Sequence, residues 1–130
     1  MHLERKDPAD LARYCARILH ENKLEDIRLF DVAAALGIAD LFVVASARNS
    51  RHVKAARDDL LRKLREAGIQ RRGLEGDRES RWILVDVSDV IIHIFVEETR
   101  RHYDLESLWG DCPRLEWSAE DHRTSVASSR

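Results

Sequence analysis

Residues 82–96 constrain the fold of this chain more than any other stretch. Two apolar runs, Trp82–Val87 and Val90–Val96, are parted only by Ser88-Asp89. Strand-like runs joined by a two-residue polar connection form a tight antiparallel hairpin. In the second run Val90, Ile92, Ile94 and Val96 share one face, and Ile91, His93 and Phe95 share the other. A helix is predicted next, from Glu97 to about Leu108, carrying Thr99 and residues 100–103. The chain then closes on Leu-Trp-Gly-Asp-Cys-Pro, which sets a large aromatic beside a turn. Aromatic residues at such edges serve protein contact more often than chemistry.

Upstream, Asp7-Pro8 with Asp10 marks a helix start: a capping oxygen, a proline at the first helical position and an acid in the first turn. Leu11, Cys15, Ile18 and Leu19 recur at helical spacing up to Asn22. Residues 27–32 read as a strand, and 33–39 as one helical turn broken by Gly37. The run LFVVAS at 41–46 is the pattern of a strand buried on both faces. Ser50 is the expected N-cap of a second helix whose apolar stripe is Val53, Ala56, Leu60, Leu61, Leu64 and Ala67, with Gly68 at the left-handed position beyond its end. Residues 71–75 form a short strand ending at Gly76, and 77–81 a charged loop. The order predicts an α/β fold, a mixed sheet of about five strands flanked by helices. The buried run followed by a crossover helix favours at least one parallel pair. One domain is expected over residues 1–117, with a disordered tail at 118–130, where apolar content nearly vanishes.

The 130 residues are 44% hydrophobic and 35% charged, with a net charge of -2. That balance argues against nucleic-acid binding by bulk electrostatics, since phosphate contacts demand a basic surplus. Cys15 and Cys112 fit neither a zinc site nor a disulfide framework and point to a reducing cytoplasm. The first residues, MHLERKDPAD, lack the apolar core of a secretion signal, and no apolar run reaches the ~18 residues that span a membrane. A soluble cytoplasmic protein is expected.

Several groupings carry potential chemistry. Asp86 and Asp89 flank the hairpin turn, but carboxylates that hold a metal from one strand sit at alternate positions, on one face. A spacing of three points them apart, and turn chemistry accounts for Asp89. His93 has no nucleophile or Cys/His signature that would make it a catalytic base, so a half-buried position or a surface contact is expected. Ser50-Arg51-His52-Val53-Lys54 places cations at a helix N-terminus, where anions bind, yet no glycine-rich turn precedes it. The helix over 51–67 interleaves Arg51, Lys54, Arg57, Arg62, Lys63 and Arg65 with Asp58, Asp59 and Glu66, the pattern of a salt-laced solvent face. Four of the eight aromatic residues, Trp82, Phe95, Tyr103 and Trp109, fall between residues 82 and 109. If the last helix packs over the hairpin, these rings cluster at one edge. Trp, Tyr and Arg dominate protein-binding hot spots.

The constellation resembles the ribosome silencing factor (Iojap) family. The matching residues are Arg28-Leu29-Phe30-Asp31-Val32, Ala39-Asp40 before LFVVAS, Asn49-Ser50-Arg51-His52-Val53-Lys54, Leu74-Glu75-Gly76 and Trp82–Val87. They continue through residues 89–95, Tyr103-Asp104-Leu105-Glu106 and Leu108-Trp109-Gly110-Asp111. The resemblance covers about residues 10–117. It implies a nucleotidyltransferase-like fold without enzymatic activity or cofactor. It also implies binding to a β-barrel ribosomal protein on the intersubunit face of the large ribosomal subunit. There the protein sterically blocks small-subunit joining and represses translation when nutrients are scarce. Carried onto this chain, the contact surface comprises Trp82, His93, Arg100, Tyr103, Asp104, Leu108 and Trp109, with Asp86 and Asp89 as possible polar contacts and no metal ligand. The chain departs from the family at Ser88, where a glycine is usual, and at Ala47-Arg48, where Gly-Thr is commoner. Two rival readings are a magnesium-dependent nucleotidyltransferase-like enzyme using Asp86 and Asp89, and an RNA-binding module using Arg51, Lys54 and Arg57. A homodimer is conceivable when the partner is absent, through the same aromatic edge.

Overall fold

The computed structural model describes residues 7–33 and 41–119, and of Leu105 and Leu108 the backbone alone. Helix α1 (Pro8–Glu21) starts as its sequence requires: Asp7 accepts from the Ala9 amide at 3.0 Å, with proline at the first helical position. Strands β1 (Glu25–Asp31) and β2 (Leu41–Ala47) follow, then helix α2 (Ser50–Glu66), strand β3 (Gly73–Gly76), the hairpin β4 (Trp82–Val87) and β5 (Val90–Val96), helix α3 (Glu97–Tyr103), a 3-10 turn (Leu105–Leu108) and β6 (Arg114–Leu115). The strands form one sheet in the order β3-β4-β5-β2-β1-β6. β2 and β5 run parallel, and every other neighbouring pair is antiparallel. The parallel pair is the one expected from the LFVVAS run, all seven residues of β2 being buried.

Four details correct the sequence reading. The cap of α2 is Asn49, whose side chain accepts from the His52 amide at 2.9 Å, and Ser50 is the first helical residue. Strand β1 begins at Glu25, ahead of the expected 27, because a bulge with Asp26 at positive φ carries the chain into the sheet. The last helix is not continuous to Leu108: Asp104 takes a left-handed conformation and divides α3 from the 3-10 turn. A sixth strand, β6, pairs only Leu29 with Leu115 and Phe30 with Arg114, too short a run to carry a periodicity. The turn expected at 33–39 lies outside the described residues beyond Ala33, as does the tail beyond Ala119.

Alternation along each strand divides the core in two. Toward α1 and α2, Leu29, Val43, Ala45, Ile83, Val85, Val87, Val90, Ile92 and Ile94 pack with Leu11, Cys15, Leu19, Val53, Leu60 and Leu64. Burial pushes the Cys15 thiol up to about 12, so it behaves as an unreactive apolar side chain. His52, at the start of α2, is buried: its Nε2 lies 2.6 Å from the Asn22 carbonyl, and its Nδ1 accepts from the Arg48 amide at 3.0 Å. It ties the end of α1 to the β2–α2 connection. The opposite face of the sheet carries Phe30, Val32, Phe42, Val44, Phe95 and Trp109.

Ser88 sits at positive φ (55°) in the β4–β5 turn, at the position where a glycine meets no steric penalty. A left-handed conformation costs a residue with a Cβ roughly 1–2 kcal/mol, and the greater unfolded freedom of glycine returns part of that. Ser88→Gly should therefore stabilise the fold by about 0.5–1 kcal/mol, read as a rise in Tm. A fall in Tm would show that the serine side chain contributes more than its backbone strain costs.

Candidate functional site

The two faces of the sheet are covered unequally. Both long helices lie on one face, and the other is roofed by the short segment from α3 through Trp109. The strand registers set that second face out in rows. Trp82 stands beside Phe95 and Ser46. Glu75 is followed by Leu84, His93, Val44 and Arg28. Gly73 is followed by Asp86, Ile91, Phe42 and Phe30.

Trp109 is 5% exposed and closes the middle of this face, edge-on to Phe42 at 4.8 Å and 5.6 Å from Phe30. Trp82 is half-buried, stacked on Phe95 at 4.8 Å, with Tyr103 against it at 5.4 Å. His93 lies between the two tryptophans, 5.6 Å from Trp109 and 6.1 Å from Trp82. The clustering expected if the last helix packs over the hairpin is therefore present. Tyr103, at 53% exposed, is the ring most open to solvent.

His93 lies deeper than the half-buried position read from the sequence, at 4% exposed. Its Nδ1 accepts from Trp82 Nε1–H at 3.3 Å, which leaves the proton of the neutral ring on Nε2. That nitrogen has no hydrogen-bond partner among the described residues. Burial pushes the His93 pKa down to about 4, so the ring is neutral at pH 7 and serves as an acceptor that fixes the Trp82 indole.

Arg100, 6% exposed, anchors the roof. Its Nε and Nη2 donate to the two carboxylate oxygens of Glu106 at 2.8 and 3.0 Å, and its Nη1 donates to the Asp26 carbonyl at 2.8 Å and Ser46 Oγ at 2.7 Å. Arg28 adds contacts to Glu106 at 3.3 Å and to Asp26 at 2.8 Å. The Arg100 guanidinium holds the Glu106 carboxyl below its ordinary range, against the opposing effect of burial. The left-handed turn at Asp104 brings Glu106 back onto Arg100, six residues earlier in the chain.

The surface residues named from the sequence thus divide. Trp82, Tyr103 and Asp104 reach solvent, whereas His93, Arg100 and Trp109 lie beneath and hold them in place. The Leu108 side chain lies outside the described residues. Asp86 is half-buried on the aromatic face and Asp89 exposed in the turn. Among the described residues no three His, Cys, Asp or Glu side chains are grouped to hold a metal ion. Of the cations considered for RNA, Arg57 bonds to Asp58 while Arg51 and Lys54 are exposed. Sequence reasoning missed Leu84 and Glu75, which extend the face to its edge, and Glu106, whose pairing with Arg100 depends on a turn that periodicity does not signal.

This architecture defines a small α/β domain that turns a partly open aromatic sheet face to solvent. The sequence model described as ribosomal silencing factor during starvation matches residues 5–130, and the chain belongs to that family. It is 34% identical to the ribosomal silencing factor of Bacillus subtilis over 103 residues, 79% of this chain and 87% of that protein. To the one from Zymomonas mobilis it is 35% identical over 104 residues, 80% of this chain and 78% of that protein. A crystal structure of a Chromobacterium violaceum protein matches with a TM-score of 0.77 at 30% identity, covering 89% of this chain and 98% of that one.

Two expectations follow from this geometry. Arg100→Ala leaves Glu106 without its main counter-charge inside the roof, and should lower the free energy of unfolding in urea by roughly 3 kcal/mol. A loss below about 1 kcal/mol would mean that Glu106 regains water freely. For His93, the unfolded ring takes a proton below about 6.5 but the folded ring only near 4. The unfolded state therefore binds more protons in that window, and stability falls as pH drops through it, by on the order of 3 kcal/mol in all. His93→Leu should flatten this part of the stability curve. An unchanged slope would assign it to carboxylates.

Proposed function

We propose that this chain silences ribosomes by binding the large ribosomal subunit through its aromatic face and sterically blocking small-subunit joining. The observation that carries the reading is the Trp82–Tyr103 pair, an exposed aromatic edge held rigid from beneath. Rings fixed before binding lose little freedom on association, which favours affinity. Family membership supports the ribosome as the target, and the relatives named ribosomal silencing factors support translational repression as the outcome.

The docking surface is Trp82, Tyr103, Asp104 and Leu108, with Asp86 and Asp89 at its polar margin. Trp109, His93 and Arg100 act through them by fixing their positions. The partner is a β-barrel ribosomal protein on the intersubunit face, so occupancy by this chain excludes the small subunit in proportion to affinity and concentration. The activity is binding rather than catalysis, and it takes place in the cytoplasm. No helix among the described residues is long and apolar enough to cross a membrane. Without its ribosomal partner the aromatic edge is open to a second copy of the chain.

Sucrose-gradient sedimentation of purified ribosomal subunits with and without the chain tests this reading. Free subunits should accumulate, with the chain travelling alongside the large one. Tyr103→Ala and Trp82→Ala should each weaken binding by about 2 kcal/mol. Tyr103→Ala is the cleaner of the two, because a side chain more than half exposed contributes little to folding. If subunits join normally and the chain stays at the top of the gradient, the reading fails.

A further inference from the structure

The roof formed by α3 and Trp109 stops short of the sheet edge. Beyond it lies a strip of β3 and β4 in which Trp82, Leu84 and Asp86 are half-buried and Glu75 is exposed. A groove of about 260 Å³ runs along this strip, lined by Glu75, Gly76, Asp77, Trp82 and Leu84. Small-molecule pockets usually enclose about 300–1,000 Å³, so this space suits a single side chain better than a metabolite.

The groove's carboxylates are not equivalent. Asp77 is already engaged: it accepts from Arg81 Nε at 2.9 Å and from the Arg81 and Trp82 amides at 2.6 and 3.3 Å. Neighbouring Glu79 pairs with the same Arg81 at 3.2 Å. Glu75, directly across the ladder from Leu84, makes no ion pair or side-chain hydrogen bond among the described residues. Asp86, two residues along β4, is likewise free of such partners there. An apolar wall of indole and leucine with an unspent carboxylate at its rim complements a long cationic side chain. The alkyl stem covers the apolar surface while the charge meets the acid. The Trp82 ring adds cation–π attraction.

We propose that this open strip receives a lysine or arginine side chain of the protein partner, with its stem on Trp82 and Leu84 and its cation at Glu75. The assignment rests on the ribosome-docking reading and adds to it a residue, Glu75, that selects a basic partner surface. The strip adjoins the Trp82–Tyr103 edge, so a partner seated on that edge reaches the groove without any movement of the sheet.

The test is equilibrium binding of the full chain to purified large ribosomal subunits, at low and at moderate salt. Glu75→Gln should weaken binding about tenfold at low salt, with the deficit shrinking as salt screens the pair. Glu66→Gln removes the same charge from α2, on the helical side of the sheet, and should change affinity by less than about twofold. Circular dichroism melting of both variants checks that they fold. Equal binding by Glu75→Gln and Glu66→Gln overturns the assignment and leaves the docking reading intact. So does a Glu75→Gln effect confined to self-association of the free chain, which would make the strip a contact between copies. Failure of the unaltered chain to bind large subunits overturns both.

Discussion

The Arg100 guanidinium is the point on which the second face of the sheet depends. Within one buried group it joins Glu106 of the 3-10 turn, the Asp26 carbonyl of the β1 bulge and Ser46 of β2. Burying such a charge is costly unless every donor is used and a counter-charge lies close. Here four of the five N–H groups are hydrogen-bonded, Glu106 supplies the counter-charge from six residues on, and the Asp26 carbonyl and Ser46 Oγ come from 74 and 54 positions away. The left-handed conformations at Asp26 and Asp104 follow from the same requirement. Each bends the backbone so that an acceptor arrives at the guanidinium, and each belongs to a residue type that tolerates this region better than most. The strained bulge and the broken helix are therefore the local consequence of pairing one buried cation.

From that anchor the rest of the face follows. With the roof pinned, Trp109 is pressed onto Phe30 and Phe42. His93 then sits in a dry environment that keeps it neutral and makes Nδ1 an acceptor. The acceptor orients the Trp82 indole, and Phe95 stacks beneath it. Tyr103, in the last turn of α3, meets Trp82 from the other side. The chain of dependence thus runs from a buried ion pair through a buried histidine to two aromatic rings at the surface. The helical face plays no part in it. There the surface charges of α2 are largely satisfied among themselves, Asp59 with Arg62 and Lys63, and Glu66 with Arg62.

What the sequence revealed of this arrangement was governed by the range of each interaction. The hairpin, the cap at Asp7 and Gly68 at positive φ all depend on neighbours within a few residues, and each was legible. So was the division of β5 into two faces, since a strand's period is two. Asn49 and Ser50 are both good capping residues and adjacent. Choosing between them requires knowing which amide is left bare, and that is a property of the turn. Clustering of Trp82, Tyr103 and Trp109 was foreseeable from their placement. Their depths were not, because exposure depends on where the roof ends. The partners of Arg100 include a residue 74 positions away, beyond any periodicity. Glu75 lies on the short strand expected from the sequence, and its place opposite Leu84 is set by a register that the sequence does not signal.

An aromatic strip beside a sheet edge is a hazard as well as a binding surface, since open edges and apolar patches recruit other chains. The edge strand β3 is four residues long and bears a glutamate, two features that discourage further strand pairing. Trp82 is kept half-buried, so only part of its ring contributes to the exposed patch. Glu75 and Asp86, placed beside Leu84 on one face by the register of β3 with β4, put negative charge at the margin of this apolar patch. In the proposed docking that charge faces a basic partner, so the carboxylates that protect the sheet edge are the same ones that select what binds there.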